Sequence, residues 1–191
     1  MEKAFLKISN DINRIRRADE ADVEAVARIY SRIHDEEEAG RCSVGWRRGV
    51  YPTVRTAREA LERGDLFVWD DAGEILASAV INRSQLPAYA GGRWAAELPD
   101  GQVMVLHTLV VDPARSGGGI GRAFVAFYEQ YARERGCAAC RLDTQVRNRS
   151  AMRLYPRLGY REAGRVACDF NGIGGVTLAL FEKEIASGAD R

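Results

Sequence analysis

The stretch Gly117-Gly118-Gly119-Ile120-Gly121 constrains this chain more than any other. Before it runs "VMVLHTLVV", nearly all apolar, which suits a strand buried on both faces. After it Ile120, Phe124, Phe127 and Tyr131 recur at i, i+4, i+7 and i+11, the stripe of an amphipathic helix that Gly136 ends. Glycines packed into a strand-to-helix junction serve one of two ends. They permit a tight turn, or they let an anionic ligand reach bare N–H groups at a helix N-terminus.

The flanking sequence fixes the surroundings of this junction. "NRIRRAD" reads as a first strand and turn, and Asp19 caps a helix whose apolar face is Val23, Val26, Tyr30 and Ile33. "VRTAREALERG" is a second helix, with Val54, Ala57 and Leu61 inward and Gly64 as its stop. "DLFVWD" and "EILASAVIN" form a hairpin around "DAG". The loop from Arg83 to Gly101 is long for a compact domain, which marks it as functional or mobile. "ACRLDTQV" is a strand, and "SAMRLYPRLG" a short helix with Ala151, Leu154 and Leu158 on one face. "YREAGRVACDF" and "GVTLALFEKEI" are antiparallel strands across "NGIGG". The predicted order, β-α-α-β-β-β-α-β-α-β-β, is a mixed α/β fold. A chain of 191 residues fits a single domain, with its core at about residues 12–185.

Composition excludes several function classes. Lys and Arg number 28 against 27 Asp and Glu, so no global field calls for nucleic acid or an anionic membrane surface. No apolar run approaches the ~18 residues of a membrane span, and "MEKAFLKISN" lacks the apolar core of a secretion signal. Four cysteines make no disulfide framework, and a cytoplasmic location is expected. Cys137 and Cys140 form a CxxC without a second pair or histidines at ligand spacing. They read as small buried hydrophobes entering a strand, and no metal site is expected.

Two nucleotide-binding readings of the glycines fail. GxGxxG would need a run of βαβ units, and the upstream segment is a hairpin. A Walker loop would need Lys-Ser/Thr after the last glycine. A third pattern fits. "LHTLVVDPARSGGGIGRAF" followed by "RLDTQVRNRSAMRLYPRLGY" resembles the GNAT superfamily of acyl-CoA-dependent N-acetyltransferases. Val111, Asp112 and Pro113 match the end of that family's strand, and Gly119 and Gly121 match the pyrophosphate loop. Asn148, Ala151, Leu154, Tyr155, Gly159 and Tyr160 match its second block. One position departs: Ser116 stands where the family has Arg or Gln, with Arg115 and Arg122 as candidates to compensate.

The resemblance implies a mostly antiparallel sheet flanked by helices, with acetyl-CoA as cosubstrate. It implies that Gly117, Gly118, Gly119, Ile120, Gly121 and Arg122 cradle the pyrophosphate at the positive end of the following helix. Leu109, Val110 and Val111 would offer main chain to the thioester and pantetheine, and Asn148 would join the cofactor site. Acetyl transfer needs a neutral amine, a stabilised oxyanion and a proton for the departing thiolate. Tyr155 is the expected acid, since a phenol near pKa 10 stays protonated at neutral pH. His107 is the expected base, with Asp143 or a water chain as alternatives. "DEEE", Asp35 to Glu38, is either a cation-recognising patch or a solvated face. Trp46, Tyr51, Tyr89 and Trp94 either line the acceptor cleft or pack loops. The expected activity is direct transfer to a primary amine of a small molecule or peptide, without a cysteine intermediate. A homodimer stays open, and the rival reading is a catalytically silent acyl-CoA sensor.

Overall fold

A computed structural model describes residues 11–185. Strand β1 (Ile15–Arg17) precedes α1 (Val23–Glu38) and α2 (Val54–Glu62). Then come β2 (Leu66–Asp71), β3 (Glu74–Asn82), β4 (Val103–Val111) and α3 (Ile120–Glu134). Strand β5 (Ala139–Gln145), α4 (Arg149–Arg157), β6 (Arg161–Phe170) and β7 (Ile173–Glu184) follow. This is the order read from the sequence. The strands form one sheet in the order β1-β2-β3-β4-β5-β7-β6. Neighbours are antiparallel except β4 and β5, which run parallel.

Alternation along the strands divides the core between two faces. Phe67, Trp69, Met104, Leu106 and Leu142 face α3 and α4, where Phe124 and Tyr128 are fully buried. Leu66, Val68, Val80 and Val110 face α1 and α2. Val103, Val105, Leu178 and Leu180 complete that second face under the loop of residues 83–101. Beyond two short 3-10 turns, Pro87–Gly91 and Asp100–Gln102, the loop is held by burial and hydrogen bonds. Tyr89 is 2% exposed, and Arg141 donates to Gln85 Oε1 (2.7 Å) and to the Ala96 carbonyl (3.2 Å). The buried Glu182 carboxylate accepts from Arg141 (3.0 Å) and from the Ala95 N–H (2.7 Å).

Local chemistry explains the helix starts. Asp19 accepts from the Ala21 N–H and Asp22 from the Asp19 N–H, a capping box that leads into α1. Thr53 and Thr56 do the same for α2. The inward face expected of α2 is corrected at one end. Val54, in the first turn, is 39% exposed, and the small Ala57 and Ala60 are the buried residues that pack on α1. Pro156 lies inside α4, which runs through Tyr155 and ends one residue after the proline. The last turn tightens, with the Leu158 N–H shared between the Leu154 and Tyr155 carbonyls. Cys137 and Cys140 are buried, and burial pushes the Cys140 thiol up to about 12, which makes it inert at neutral pH.

Tyr128 ties α3 to the parallel pair. Its buried hydroxyl lies 2.6 Å from the Met104 carbonyl of β4 and 2.9 Å from the Arg141 carbonyl of β5. Tyr128→Phe should cost about 1–3 kcal/mol by leaving buried carbonyls short of a donor, a fall in Tm on the order of 5 °C. Tyr131→Phe, whose hydroxyl only accepts from the exposed Arg17, should change stability by less than about 0.5 kcal/mol. Thermal unfolding of both variants checks the contrast.

Candidate active site

The parallel ladder of β4 and β5 is short. It pairs Val103–Leu106 with Ala139–Leu142 and goes no further. Beyond that point β4 stays with β3 out to Val111, and β5 stays with β7 out to Gln145. A bulge in β4 accompanies the separation. His107 opposes Val80 and Val110 opposes Ser78, so β4 carries an extra residue at Thr108–Leu109. Thr108 takes φ +50, a strained conformation for a β-branched residue. The Asp112 N–H donates to Leu76 of β3 (2.8 Å), so strand alternation turns the Val111 and Leu109 N–H groups to the opposite, open edge.

That edge forms one wall of a cavity of about 420 Å³. Gly117, Gly119, Ile120 and Gly121 form its next wall. Gly117 (φ +84) and Gly119 (φ +88) are left-handed, and a Cβ on either would meet no neighbouring atom within 4 Å. Gly119 caps α3 without any side chain, so the first N–H groups of that helix stay free. A Cβ on Gly121 would stand 3.9 Å from Val111 and Leu154, both of which line the cleft. Free helix-terminal N–H groups beside left-handed glycines are the donor set that suits a phosphate.

The rest of the lining carries ionisable groups. Tyr155 of α4 is buried and packs against Tyr160 and Phe181, with ring centroids 5.9 and 5.6 Å away. Burial, and then the nearby Asp143 carboxylate, raise its pKa above the usual phenol value. Asp143, on β5 just past the point of separation, lines the cleft and accepts from the Tyr89 hydroxyl at 2.9 Å. Burial pushes its carboxyl up to about 6, while the Tyr89 hydrogen bond works in the opposite direction. Tyr51 lines the cleft too and hydrogen-bonds the Thr108 hydroxyl.

Residues 24–160 match the description "Acetyltransferase (GNAT) family". The chain belongs to that family. Among curated relatives it is 34% identical over 99 residues to a mycothiol acetyltransferase of Saccharopolyspora erythraea, covering 52% of this chain and 30% of that one. It is 33% identical over 75 residues to an aminoglycoside N(6')-acetyltransferase type 1 of Klebsiella aerogenes, covering 39% of this chain and 49% of that one. The chain thus matches less than half the length of these relatives. Its fold is similar to the crystal structure of a ribosomal-protein-alanine N-acetyltransferase from Brucella melitensis, at TM-score 0.66 and 21% identity, over 90% of this chain and 99% of that one. It is also similar to an acetyltransferase of Salmonella typhimurium solved with acetyl-CoA, at TM-score 0.63 and 19% identity, over 92% and 95% of the two chains.

The GNAT motifs land unevenly on the cleft. Leu109, Val110, Val111, Gly117, Gly119, Ile120, Gly121, Asn148 and Tyr155 all line it. Gly118 and the exposed Arg122 are absent from its lining. Asn148 spends its side chain on the cap of α4, accepting from the Ala151 N–H at 3.2 Å. Ser116 and Arg115 border the cleft, and Arg115 pairs with Glu74. His107 faces a neighbouring cavity instead. Its Nε2 lies 3.2 Å from Asn82 Oδ1 and 3.1 Å from the Ser84 carbonyl, and burial lowers its pKa to about 4.

The acidic run does internal work. Glu36 pairs with Arg41, Asp35 and Glu38 hold Arg48, and Glu37 accepts from the Val44 and Gly45 N–H groups. Gln145 Nε2 donates to the Gly45 carbonyl (2.9 Å) and locks the α1–α2 loop onto β5. Trp46 and Tyr51 on that loop line the cleft, whereas Tyr89 and Trp94 pack below it. Among the described residues no group of His, Cys, Asp and Glu is arranged to hold a metal, and no helix is long and apolar enough to cross a membrane.

The left-handed turn can be tested by stability alone. Gly119→Ala should cost about 1–2 kcal/mol. Gly118→Ala, whose Cβ would make an ordinary 3.5 Å contact with the Arg115 carbonyl, should be close to neutral. Urea denaturation of the two variants distinguishes them.

Proposed function

We propose that this chain is an acetyl-CoA-dependent N-acetyltransferase that moves the acetyl group directly to a primary amine of a small molecule or peptide. One observation carries the reading. The open edge of β4, the left-handed glycine turn with its free helix N-terminus, and the Tyr155 ring all line one cleft. The N–H groups of Leu109 and Val111 would receive the thioester and pantetheine. Those of the Gly117–Gly121 turn would receive the pyrophosphate, at the positive end of α3. Bound there, acetyl-CoA supplies an activated acyl group.

The chain's own residues handle the protons. The raised pKa of Tyr155 keeps its phenol protonated across the working range, so it has a proton to give. A raised pKa weakens it as an acid, but the same dry surroundings raise the basicity of a departing thiolate. For the base, the geometry favours Asp143 over His107. Asp143 lines the cleft, carries a pKa near 6 and is ionised at neutral pH. His107 lies in the adjoining cavity, and a pKa near 4 makes it a weak acceptor for an ammonium proton. The cleft continues past Tyr155 to Trp46, Tyr51 and Phe170, room that a silent sensor would not need.

Tyr155→Phe keeps the ring and deletes the proton. With an amine found by screening tyramine, glycinamide, kanamycin and an alanine-terminated peptide against acetyl-CoA, it should lower kcat by ~10²–10⁴-fold. The acetyl-CoA Kd measured by calorimetry should stay within about twofold. Near-wild-type kcat would remove Tyr155 as the acid.

The base assignment is read from pH dependence. An ionised Asp143 is required, so kcat/KM should fall as pH drops through about 6, and this limb should vanish in Asp143→Asn. A limb near 4 that survives in Asp143→Asn and vanishes in His107→Gln would return the role to the histidine.

A further inference from the structure

Titratable groups from several elements lie within electrostatic range of the Asp143 carboxylate. They are Tyr155 of α4, Tyr51 of the α1–α2 loop, Cys168 of β6 and Tyr89 of the loop of residues 83–101. Arg141 stands two residues earlier on the same face of β5, with its charge met by Glu182. Among the described residues only Tyr89 is in hydrogen-bond contact with the carboxylate, at 2.9 Å to Oδ1. Tyr51 is committed to Thr108.

Tyr89 is also the most firmly held of these hydroxyls. It is 2% exposed and packs against Trp94 with ring centroids 5.4 Å apart and planes tilted by 50°, and the Trp94 indole N–H donates to the Tyr89 carbonyl (2.8 Å). The Arg141 guanidinium lies 4.1 Å over the Trp94 ring. Arg141 and Glu182 together fasten the loop at Gln85, Ala95 and Ala96. Burying such an ion pair is a weak source of stability. Here it fixes the conformation of a long irregular segment that ends at the carboxylate of the cleft.

We propose that Tyr89 is a positioning residue for the transfer reaction: its hydroxyl holds one oxygen of Asp143 and leaves the other to take the amine's proton, and the Arg141–Glu182 pair fixes the loop that delivers it. The catalytic half of this statement rests on Asp143 being the base. The Tyr89 hydrogen bond favours the ionised carboxylate, against the burial that disfavours it. The balance leaves the group ionised at neutral pH yet basic enough to accept a proton. The acceptor's proton passes to the free carboxylate oxygen as its nitrogen lone pair becomes available for the acetyl carbon.

Tyr89→Phe retains the ring and its packing and removes only the donated hydrogen bond. The Asp143 carboxyl titration is followed by ¹³C NMR of aspartate-labelled protein, with Asp143→Asn assigning the resonance. Circular dichroism confirms the fold. The midpoint should rise by about one pH unit or more in Tyr89→Phe, since a hydrogen bond to a charged group of ~1.5–3 kcal/mol is lost. In Tyr51→Phe it should move far less. The acidic limb of kcat/KM, with the fastest amine of the screen, should shift upward with the NMR midpoint, a loss of about tenfold below it. An unmoved NMR midpoint in Tyr89→Phe, or an equal shift in Tyr51→Phe, overturns the contact's role. An NMR shift that the kcat/KM limb does not follow overturns the positioning role by removing Asp143 as the base.

Discussion

The separation of β4 from β5 after Leu106 and Leu142 is the constraint on which the site depends. A continuous parallel ladder would consume the Leu109 and Val111 N–H groups and close the floor of the cleft. Each strand instead follows its other neighbour, β3 or β7, and the two diverge without leaving the sheet. The bulge at Thr108 adds local twist on one side, and the Tyr51–Thr108 hydrogen bond holds the strained residue in place. Tyr128 clamps the two strands just before they part. The cleft is therefore an opened seam in the sheet, and its main-chain groups are fixed by the packed strands on both sides.

Each wall of the seam comes from a different layer, which keeps the chemistry apart. The glycine turn and α4 come from the α3 face, bringing free N–H groups and Tyr155. Asp143 projects on the same face as Arg141, toward the loop of residues 83–101. The α1–α2 loop adds Trp46 and Tyr51 at the rim, held by Glu37 and Gln145. Tyr155 and Asp143, the proposed proton donor and acceptor, thus approach from opposite faces of one sheet. That arrangement suits an acyl group reached from one side and an amine from the other.

Much of this was legible in the sequence because it rests on local rules. Hydrophobic periodicity and turn residues marked the seven strands and four α-helices of the described residues in order, and the glycine run marked a junction where no side chain is wanted, which the structure builds with left-handed backbone at Gly117 and Gly119. What escaped depends on tertiary geometry. His107 sits in the same apolar strand as Leu109, but the bulge between them sends its side chain to the neighbouring cavity. Two adjacent polar residues, His107 and Thr108, within an apolar run were the only trace of that bulge. Nothing local marked Tyr89 as the partner of Asp143, since 54 residues separate them. The acidic run Asp35–Glu38 likewise takes its meaning from Arg41, Arg48 and backbone N–H groups folded back onto it.

Amide hydrogen exchange resolved at Leu109, Val110 and Val111 tests the central claim most directly. In the free protein Val110, turned toward β3, should be protected, while Leu109 and Val111, on the open edge, should exchange quickly. Saturating acetyl-CoA should then slow Leu109 and Val111 by at least tenfold and leave Val110 nearly unchanged. Protection of all three amides in the free protein, or no change at Leu109 and Val111 on adding acetyl-CoA, would contradict the account of the opened seam as the acyl-donor site.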